Sequence, residues 1–263
     1  GAAEAVLTGV NIGQWNKACG GLPALLKSLL VGTNRIGLRL SSLEPDIFTE
    51  DFFAALENPR VRPHFHLSIQ SGSLNILKRM GRHYGPKAAL GAIGRLRSVK
   101  KDPFIACDII TGFPGETERD FRETLEFCEA ADFARIHAFP FSRRRGTAAW
   151  DFKPSVPERV SRERVKILQN LASSCRKRYI ELWIGRETGG ICLSDDATAA
   201  RTGTIEVLSD NCLRLGAAVS DNLTGSIRKG RRLRCRIGEI PSESVSVGGK
   251  ASLIDARCMI IGE

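Results

Sequence analysis

Short apolar runs alternate with amphipathic segments through residues 1–155 of the chain. Five of these runs contain β-branched or aromatic residues and end at Gly, Ser or Pro, which is typical of strands. Because strands and helical segments alternate in order, the pattern predicts an α/β fold with a parallel sheet, either in a barrel or in a doubly wound arrangement. The predicted strands are residues 4–9, 35–41, 64–69, 103–110 and 134–141.

Local signals place helices between these strands. Residues 22–30 and 46–57 have helical patterns. Ser73 and Thr117 are positioned to cap helices through their hydroxyl groups. Pro86 suits the first turn of a further helix, where its missing N–H is not needed.

The pattern changes after residue 156. Residues 157–183 have an apolar stripe at helical spacing, which predicts one long helix that Gly185 ends. The remaining residues alternate over short stretches, are rich in Gly and Ser, and predict a small all-β domain without a helix. The predicted organisation is a domain over 1–156, a linking helix over 157–184 and a β-domain over 185–263.

The net charge of the chain indicates what kind of partner it could bind. The 263 residues include 39 basic and 29 acidic side chains, for a formal net charge of +10. Such an excess favours a polyanion, either nucleic acid or an anionic surface, although many basic proteins bind neither. No apolar run approaches the roughly 20 residues that a membrane span needs.

The eight cysteines are widely spaced, and the closest two are 17 residues apart. The sequence contains no C-x-x-C or C-x-x-x-C, so it offers no local motif for a metal or a cluster. This spacing predicts reduced, mostly buried thiols of a cytosolic, cytoplasmic protein. Cys19 and Cys107, near strand segments, are expected to be packing residues.

Polar residues follow each predicted strand, at the end where parallel α/β barrels carry their function. Their hydroxyls, amides and carboxylates suit a polar small molecule with an amine, a carboxylate and a ribose. Each end taken alone is explained as well by a turn or a helix cap, and Gly112–Gly115 fits a type II turn. Asp108 is the most informative residue, because a carboxylate within an apolar strand needs a partner.

Five long segments, in the same order, resemble the radical S-adenosylmethionine methylthiotransferases, which add a methylthio group to a tRNA adenosine or to a ribosomal protein. RLSSLEP and TGVNIGQW favour the branch that acts on threonylcarbamoyladenosine beside the anticodon, and QSGS argues against the ribosomal-protein branch. The resemblance runs from residue 4 to about residue 240. The segments are VLTGVNIGQW, RLSSLEP, HFHLSIQSGS with LKRMGRHY, DIITGFPGETERDF and HAFPFSRRRGTAA.

The resemblance implies a partial parallel (β/α)₆ barrel that lacks its first strand and binds S-adenosylmethionine at the strand ends. Twelve residues carry over to cofactor binding, and no catalytic residue is identified. They are Thr8 and Gly9 near the methionyl amine, Ser42 and Glu44 at the methionine or ribose, Gln70 and Ser71 at the ribose, Gly112, Phe113, Pro114 and Gly115 along the adenine, Asp108, and Arg144 on the nucleotide side.

The family pattern also includes an N-terminal domain, a first barrel strand and a C-x-x-x-C-x-x-C loop. The three cysteines of that loop hold the iron–sulfur cluster that cleaves S-adenosylmethionine, and full-length members hold two 4Fe–4S clusters. The 263 residues match the pattern from its second barrel strand onward and contain none of these ligands. We therefore expect the isolated chain to be inactive, with the missing segment on another chain, removed or lost.

The C-terminal residues resemble the TRAM domain, a small OB-like β-barrel that binds RNA. In the strand RLRCRI, over 232–237, alternation predicts arginines pointing outward and apolar residues pointing inward. Without the family context, a charged edge strand that resists aggregation explains this pattern equally well. The basic stripe, as we call it, consists of Arg228, Lys229, Arg231, Arg232, Arg234 and Arg236.

These observations predict methylthiolation of threonylcarbamoyladenosine in a tRNA anticodon loop, with S-adenosylmethionine as methyl donor and radical source. Two alternatives remain: a non-catalytic tRNA- or RNA-binding remnant, and a methylthiotransferase of the isopentenyladenosine branch. An unrelated parallel-barrel enzyme with a phosphate ligand is disfavoured, because the sequence has no P-loop and no G-x-G-x-x-G.

Overall fold

The computed structural model describes residues 2–219, 228–241, 246–247, 250–251 and 254–262. The helices of these residues are α1 Gly21–Gly32, α2 Glu50–Leu56, α3 Leu74–Arg79, α4 Pro86–Val99, α5 Glu118–Ala131, α6 Glu158–Trp183 and α7 Asp196–Thr202. The strands are β1 Glu4–Leu7, β2 Gly37–Leu40, β3 Ser42–Leu43, β4 His64–Gln70, β5 Phe104–Thr111, β6 Arg135–Pro140, β7 Glu187–Cys192, β8 Thr204–Ser209, β9 Arg214–Ala218, β10 Arg232–Ile237, β11 Ser246–Val247, β12 Lys250–Ala251 and β13 Ala256–Gly262.

Parallel strands form the first part of the molecule, as the alternation of strands and helices predicted. They lie in two sheets, β1–β2 and β3–β4–β5–β6, and every pair within them is parallel. A parallel bridge between Leu38 and Val61 connects β2 to the chain entering β4. The five predicted strands are therefore confirmed, and the two-residue β3 was not predicted.

One face of these sheets is packed against the helices. Phe65, Leu67 and Ile69 alternate with half-exposed polar residues along β4, and all three are fully buried in the main core. Ala89, Ile93 and Leu96 bury one face of α4 in the same core. This alternation leaves the polar positions of the strands on the opposite face.

The helix boundaries follow from their caps. Thr117 accepts a hydrogen bond from the Asp120 N–H and forms a full capping box at α5, as predicted. Ser73 occupies the N-cap of α3, as predicted, but the helix ends at Arg79 instead of running through Arg82, and the Ser73 hydroxyl donates to Asp120 Oδ1 at 2.6 Å instead of accepting from its own helix. The long helix α6 is confirmed, and Gly185 follows it with a φ of +80°.

Strands β7 to β10 and β13 close into a five-stranded barrel, which we call the small barrel. The expectation that this region has no helix was wrong, because α7 connects β7 to β8. Asp195 accepts from the Thr198 N–H at 2.8 Å at the start of α7, and Gly203, with φ at +64°, ends it. Leu233, Cys235 and Ile237 point into the small barrel, as the alternation of β10 predicted.

The small barrel packs against the amino ends of the parallel strands. Phe104, Ala106 and Ala134, at the starts of β5 and β6, share its apolar core. Tyr179 of α6 packs edge-on against the Phe104 ring, with 5.3 Å between the ring centroids. The two parts therefore share buried surface instead of being joined only by α6.

Five charged residues form a network at this contact, which we call the floor network; four of them are at least four-fifths buried, and Arg232 is 40% exposed. Glu4 accepts hydrogen bonds from Arg39 at 2.7 Å and from Arg62 at 2.8 Å, and these three side chains are only 6–8% exposed. Asp210, in the turn after β8, pairs with Arg62 at 3.3 Å and with Arg232 at 2.5 and 2.9 Å. Arg39 also donates to the backbone oxygens of Ser209 and Asp210.

None of the described helices is both long and apolar enough to cross a membrane. Most cysteines are buried or half-buried and all are free, but the expectation for Cys19 was wrong. Cys19 ends a short 3₁₀ turn before α1 and is exposed, whereas Cys107 is fully buried in β5 as expected.

Candidate functional site at the carboxyl edge

The parallel strands end at one edge of the sheets, which we call the carboxyl edge. At the ends of β1 and β2, Thr8 and Gly9 are exposed, and the Ser41 N–H donates to the Leu7 carbonyl at 3.0 Å. Asn11 Oδ1 and Ser41 Oγ are buried there without a hydrogen-bond partner among the described residues. Two orphaned polar atoms at neighbouring strand ends are the feature a polar ligand would satisfy.

Ser42 and Glu44 lie at the next strand end. Ser42 begins β3, and Glu44 follows it with an ion pair to Arg82 at short range. Both side chains are about a quarter exposed, so the pair faces partly toward solvent. Arg82, which lies in the LKRMGRHY segment, adds a cation to this edge.

Gln70 and Ser71 occupy the end of β4 but point to different surroundings. Gln70 has a φ of +68°, which is an uncommon left-handed backbone conformation for a residue other than Gly or Asn. Ser71 is fully buried, and its hydroxyl lies 3.2 Å from the Thr124 hydroxyl of α5. The structure therefore commits the Ser71 side chain to helix packing and does not place it at the open edge.

Asp108 has the partner that its position required. Its Oδ1 lies 2.9 Å from His66 Nε2 on the neighbouring strand. The His66 ring stacks on the His137 ring of β6 at 5.3 Å, and His137 stacks in turn on Phe139 at 6.4 Å. Burial lowers the pKa of His137, with Arg135 and His66 adding to the effect.

This row of aromatic and acidic groups lies on the sheet face opposite the helices. Sequence reasoning missed His66 and His137, although both fall on the polar positions of alternating strands. Asp108 lies three positions before the end of β5. It is therefore close to the carboxyl edge without being at its rim.

The predicted turn spans residues 113–116. The Glu116 N–H donates to the Phe113 carbonyl at 2.9 Å, and Gly115, the third residue of this turn, has a φ of +86°. A Cβ on Gly112 would lie 1.7 Å from the Ser161 hydroxyl, so only glycine lets the turn pack against α6.

The Gly112 N–H donates to the buried Glu116 carboxylate at 2.6 Å, which Arg164 also binds at 2.7 Å. Burial raises the pKa of Glu116 against these two partners. A cleft of about 480 Å³ opens beside the turn, lined among others by Gly112, Pro140, Phe141 and Arg143.

Arg144 lies in an exposed segment after β6. Its guanidinium makes no hydrogen bond or ion pair with the part of the chain that the structure describes, although its carbonyl accepts from the Thr147 hydroxyl. Thr8, Gly9 and Arg144 are the exposed residues among the twelve carried over to cofactor binding.

The basic stripe is less free than its sequence indicates. Arg232 forms a bidentate pair with Asp210. Arg234 and Arg236 both bind Glu187, at 3.0 and 2.8 Å, and these two hydrogen bonds lower the pKa of Glu187. A phosphate bound there would have to compete with these carboxylates.

Three buried thiols converge in the main core, although they are far apart in sequence. Cys107, Cys128 and Cys175 all belong to that core, and burial together with the neighbouring Cys128 thiol raises the pKa of Cys107. Over the described ranges, no group of three or more His, Cys, Asp or Glu side chains is arranged to hold a metal ion.

Known proteins are similar to this chain both in sequence and in fold. Residues 15–128 match the family model of the radical SAM superfamily. The threonylcarbamoyladenosine tRNA methylthiotransferase of Treponema pallidum is 44% identical over 215 residues, covering 82% of this chain and 43% of the relative. The tRNA-2-methylthio-N(6)-dimethylallyladenosine synthase of Thermobifida fusca is 37% identical, covering 71% of this chain and 39% of the relative.

A solved structure shows the same fold at low sequence identity. The coproporphyrinogen III oxidase of Escherichia coli, a radical SAM enzyme, superposes with a TM-score of 0.54 at 15% identity, covering 66% of this chain and 40% of that one. The chain spans less than half the length of these two curated relatives. Residues 15–128 thus match the radical SAM superfamily, and most of the chain is similar in sequence to tRNA methylthiotransferases.

Proposed function

We propose that the chain forms the S-adenosylmethionine-binding and RNA-contacting parts of a tRNA methylthiotransferase. Its substrate is threonylcarbamoyladenosine beside the anticodon. The observation that carries the proposal is the match to a threonylcarbamoyladenosine enzyme, 44% identical over 215 residues, whereas dimethylallyladenosine synthases are 35–42% identical over 190–193 residues. Methylthiolation by the isopentenyladenosine branch is therefore the second choice.

The proposed architecture is a partial (β/α)₆ barrel over residues 1–156, a linking helix over 157–184 and a TRAM-like domain over 185–263. The parallel strands and the closed small barrel support this division. The small barrel has the five strands of an OB-like fold, although its identity as a TRAM domain rests on resemblance.

The carboxyl edge fits S-adenosylmethionine as a ligand. The orphaned Asn11 Oδ1 and Ser41 Oγ offer hydrogen bonds at the ends of β1 and β2, and the Glu44 carboxylate lies at the next strand end. Thr8, Gly9 and Gln70 surround the same edge. When bound there, S-adenosylmethionine would supply the methyl group and the radical source; the protein's own groups bind and orient it.

The described residues do not fit an iron–sulfur cluster. The converging thiols of Cys107, Cys128 and Cys175 are buried in apolar core, and no described group of side chains can hold a metal. We therefore propose that residues 1–263 alone do not cleave S-adenosylmethionine.

The test is binding of S-adenosylmethionine, measured by calorimetry on the whole chain. We expect Glu44→Gln and Gln70→Ala each to weaken binding about tenfold or more, equivalent to about 1.4 kcal/mol. Glu50→Gln is the matched control, because Glu50 pairs with Arg95 on the exposed helix side. Equal binding by all four proteins would refute the site.

RNA binding discriminates the remaining alternatives. An anticodon stem-loop that carries threonylcarbamoyladenosine should bind more tightly than one that carries isopentenyladenosine, because single-stranded loops present their bases for recognition. The reverse order would favour the isopentenyladenosine branch. Tight RNA binding with no S-adenosylmethionine binding would favour a non-catalytic RNA-binding remnant.

A further inference from the structure

Three consecutive arginines lie in an exposed segment directly after β6. Residues 142–147 are exposed throughout, and the segment follows the carboxyl end of the strand. We call Arg143, Arg144 and Arg145 the arginine loop. Its position is the rim of the carboxyl edge, beside the 480 Å³ cleft that Arg143 helps to line.

None of the three guanidinium groups pairs with a carboxylate in the described part of the chain. Arg143 donates to the Phe152 carbonyl at 3.3 Å, and Arg145 lies over the Trp150 ring at 5.8 Å. Arg144 makes neither kind of contact. Their charges are therefore available to an external anion.

Two further cations extend this surface. Arg79 donates to the carbonyls of Pro114 and Lys153, each at 3.0 Å, and lies over the Phe152 ring at 5.5 Å. The Lys153 side chain is exposed at the same place. Among the described residues neither cation has a carboxylate partner, and Asp151 is the single acid within 142–153.

Three arginines of the basic stripe differ from the arginine loop in their pairing and in their position. Arg232, Arg234 and Arg236 are each bound to Asp210 or Glu187, so a phosphate would have to displace a carboxylate. The small barrel also covers the amino ends of the strands, at the edge opposite the candidate site. The arginine loop has unpaired charge and lies at the correct edge.

Exposed aromatic rings accompany these cations. Phe139, near the end of β6, is 50% exposed, and Trp150 is 36% exposed beside Arg145. Arginines interleaved with exposed aromatic rings are the combination that binds single-stranded nucleic acid, through phosphates and stacked bases.

We propose that the arginine loop, with Trp150, binds the single-stranded RNA backbone next to the nucleotide that enters the carboxyl edge. The proposal rests on the proposed function for its partner and adds the surface that holds that partner. It assigns the phosphate contacts nearest the site to Arg143, Arg144 and Arg145 rather than to the basic stripe.

The experiment measures binding of an anticodon stem-loop to the whole chain by fluorescence anisotropy at several salt concentrations. The variant is Arg143→Gln, Arg144→Gln and Arg145→Gln together. The matched control is Arg95→Gln, Arg119→Gln and Arg122→Gln, which removes the same charge from the exposed faces of α4 and α5. Circular dichroism confirms that both variants fold.

We expect the loop variant to bind at least tenfold more weakly and its salt slope to fall by about two, since each lost contact to a single strand removes about 0.7. Trp150→Ala should weaken binding about tenfold without changing the salt slope, because stacking releases no counterions. The control should change the slope by less than half as much as the loop variant.

An equal effect of the loop variant and the control would overturn the proposal, and so would an unchanged slope in the loop variant. If the unaltered chain binds phosphatidylserine vesicles and no RNA, both this proposal and the proposed function fail. If the unaltered chain binds RNA and the loop variant binds it with the same affinity and salt slope, this proposal fails but the proposed function does not.

Discussion

His64 is a histidine that the fold keeps neutral. It begins β4, and its ring stacks on Phe104 with 5.5 Å between centroids. Burial lowers its pKa to about 3, and the positive charge of Arg39 acts in the same direction. Protonation of His64 is therefore much less favourable in the folded chain than in the unfolded one.

This depressed pKa predicts loss of stability in mild acid. His64 contributes fully above the unfolded pKa of about 6.5, and its contribution is lost as the pH falls from there toward 3. Between pH 7.5 and pH 5 the loss due to His64 should be about 2 kcal/mol. Denaturant unfolding at the two pH values measures this loss. Between them, the free energy of unfolding of His64→Leu should fall by about 2 kcal/mol less than that of the unaltered chain.

The exposed His83 provides the control. His83→Asn should keep the acid sensitivity of the unaltered chain. Equal sensitivity in His64→Leu would mean that other groups cause it.

Only part of the residue-level picture could be predicted from the sequence. Asp108 stood out because a carboxylate in an apolar strand needs a partner, and the alternation of β4 put His66 on the facing position. The pairing of Glu4 with Arg39 and Arg62, and of Arg62 with Asp210, joins residues far apart in the chain. Such contacts depend on tertiary docking, which no local pattern encodes.

At the scale of elements, Asp120 joins the β4–α3 turn to the start of α5. Its carboxylate accepts from the hydroxyl groups of Ser73 and Thr117 and from the Asn75 amide. Burial raises its pKa, but these hydrogen bonds outweigh burial and lower it overall. One side chain therefore caps α5 and anchors the strand end that carries Gln70.

Asp120→Ala should destabilise the chain by about 2–4 kcal/mol, because it removes a helix cap and leaves the buried Ser73 hydroxyl without its acceptor. Thermal or denaturant unfolding would measure this loss. Because the pKa of Asp120 is already low, the loss should be the same at pH 7.5 and at pH 5. Glu129→Ala, on the exposed face of α5, should change stability by less than 0.5 kcal/mol or so.

Most elements could be predicted because their signals are local. Thr117, Pro86 and Gly185 mark helix ends by cap chemistry, and the apolar runs mark the strands. The helix α7 was missed, although Asp195 and Gly203 give it a cap at each end, because its seven residues lie among Gly- and Ser-rich strands. The division into two sheets was also missed, since strand order does not reveal where pairing stops.

At the scale of the whole molecule, the floor network decides how the two parts fit together. Asp210 is the acid through which Arg62 of the first part and Arg232 of the small barrel are linked. Arg62 is only 6% exposed, so water cannot replace a lost partner easily.

Asp210→Ala should therefore cost about 1–3 kcal/mol, because Arg62 keeps Glu4 as a partner but loses its second carboxylate in a buried position. Glu187→Ala is the matched control, because Glu187 also binds two arginines but is 40% exposed. It should cost about 0–1 kcal/mol. Comparable losses in the two variants, measured by denaturant unfolding, would argue against the floor network.

Under the proposed function, the docking of the small barrel at the amino ends sets a minimum length for an RNA that would contact both ends of the molecule. The eight residues of β5 span about 26 Å between the two edges, at about 3.3 Å per residue. A stacked strand rises about 3.4 Å per nucleotide, so roughly eight stacked nucleotides separate a base at the carboxyl edge from a phosphate on the small barrel. An isolated anticodon loop is too short to contact both the carboxyl edge and the small barrel. Contact with the small barrel would therefore come from the stem, so that it distinguishes a whole hairpin from a loop alone.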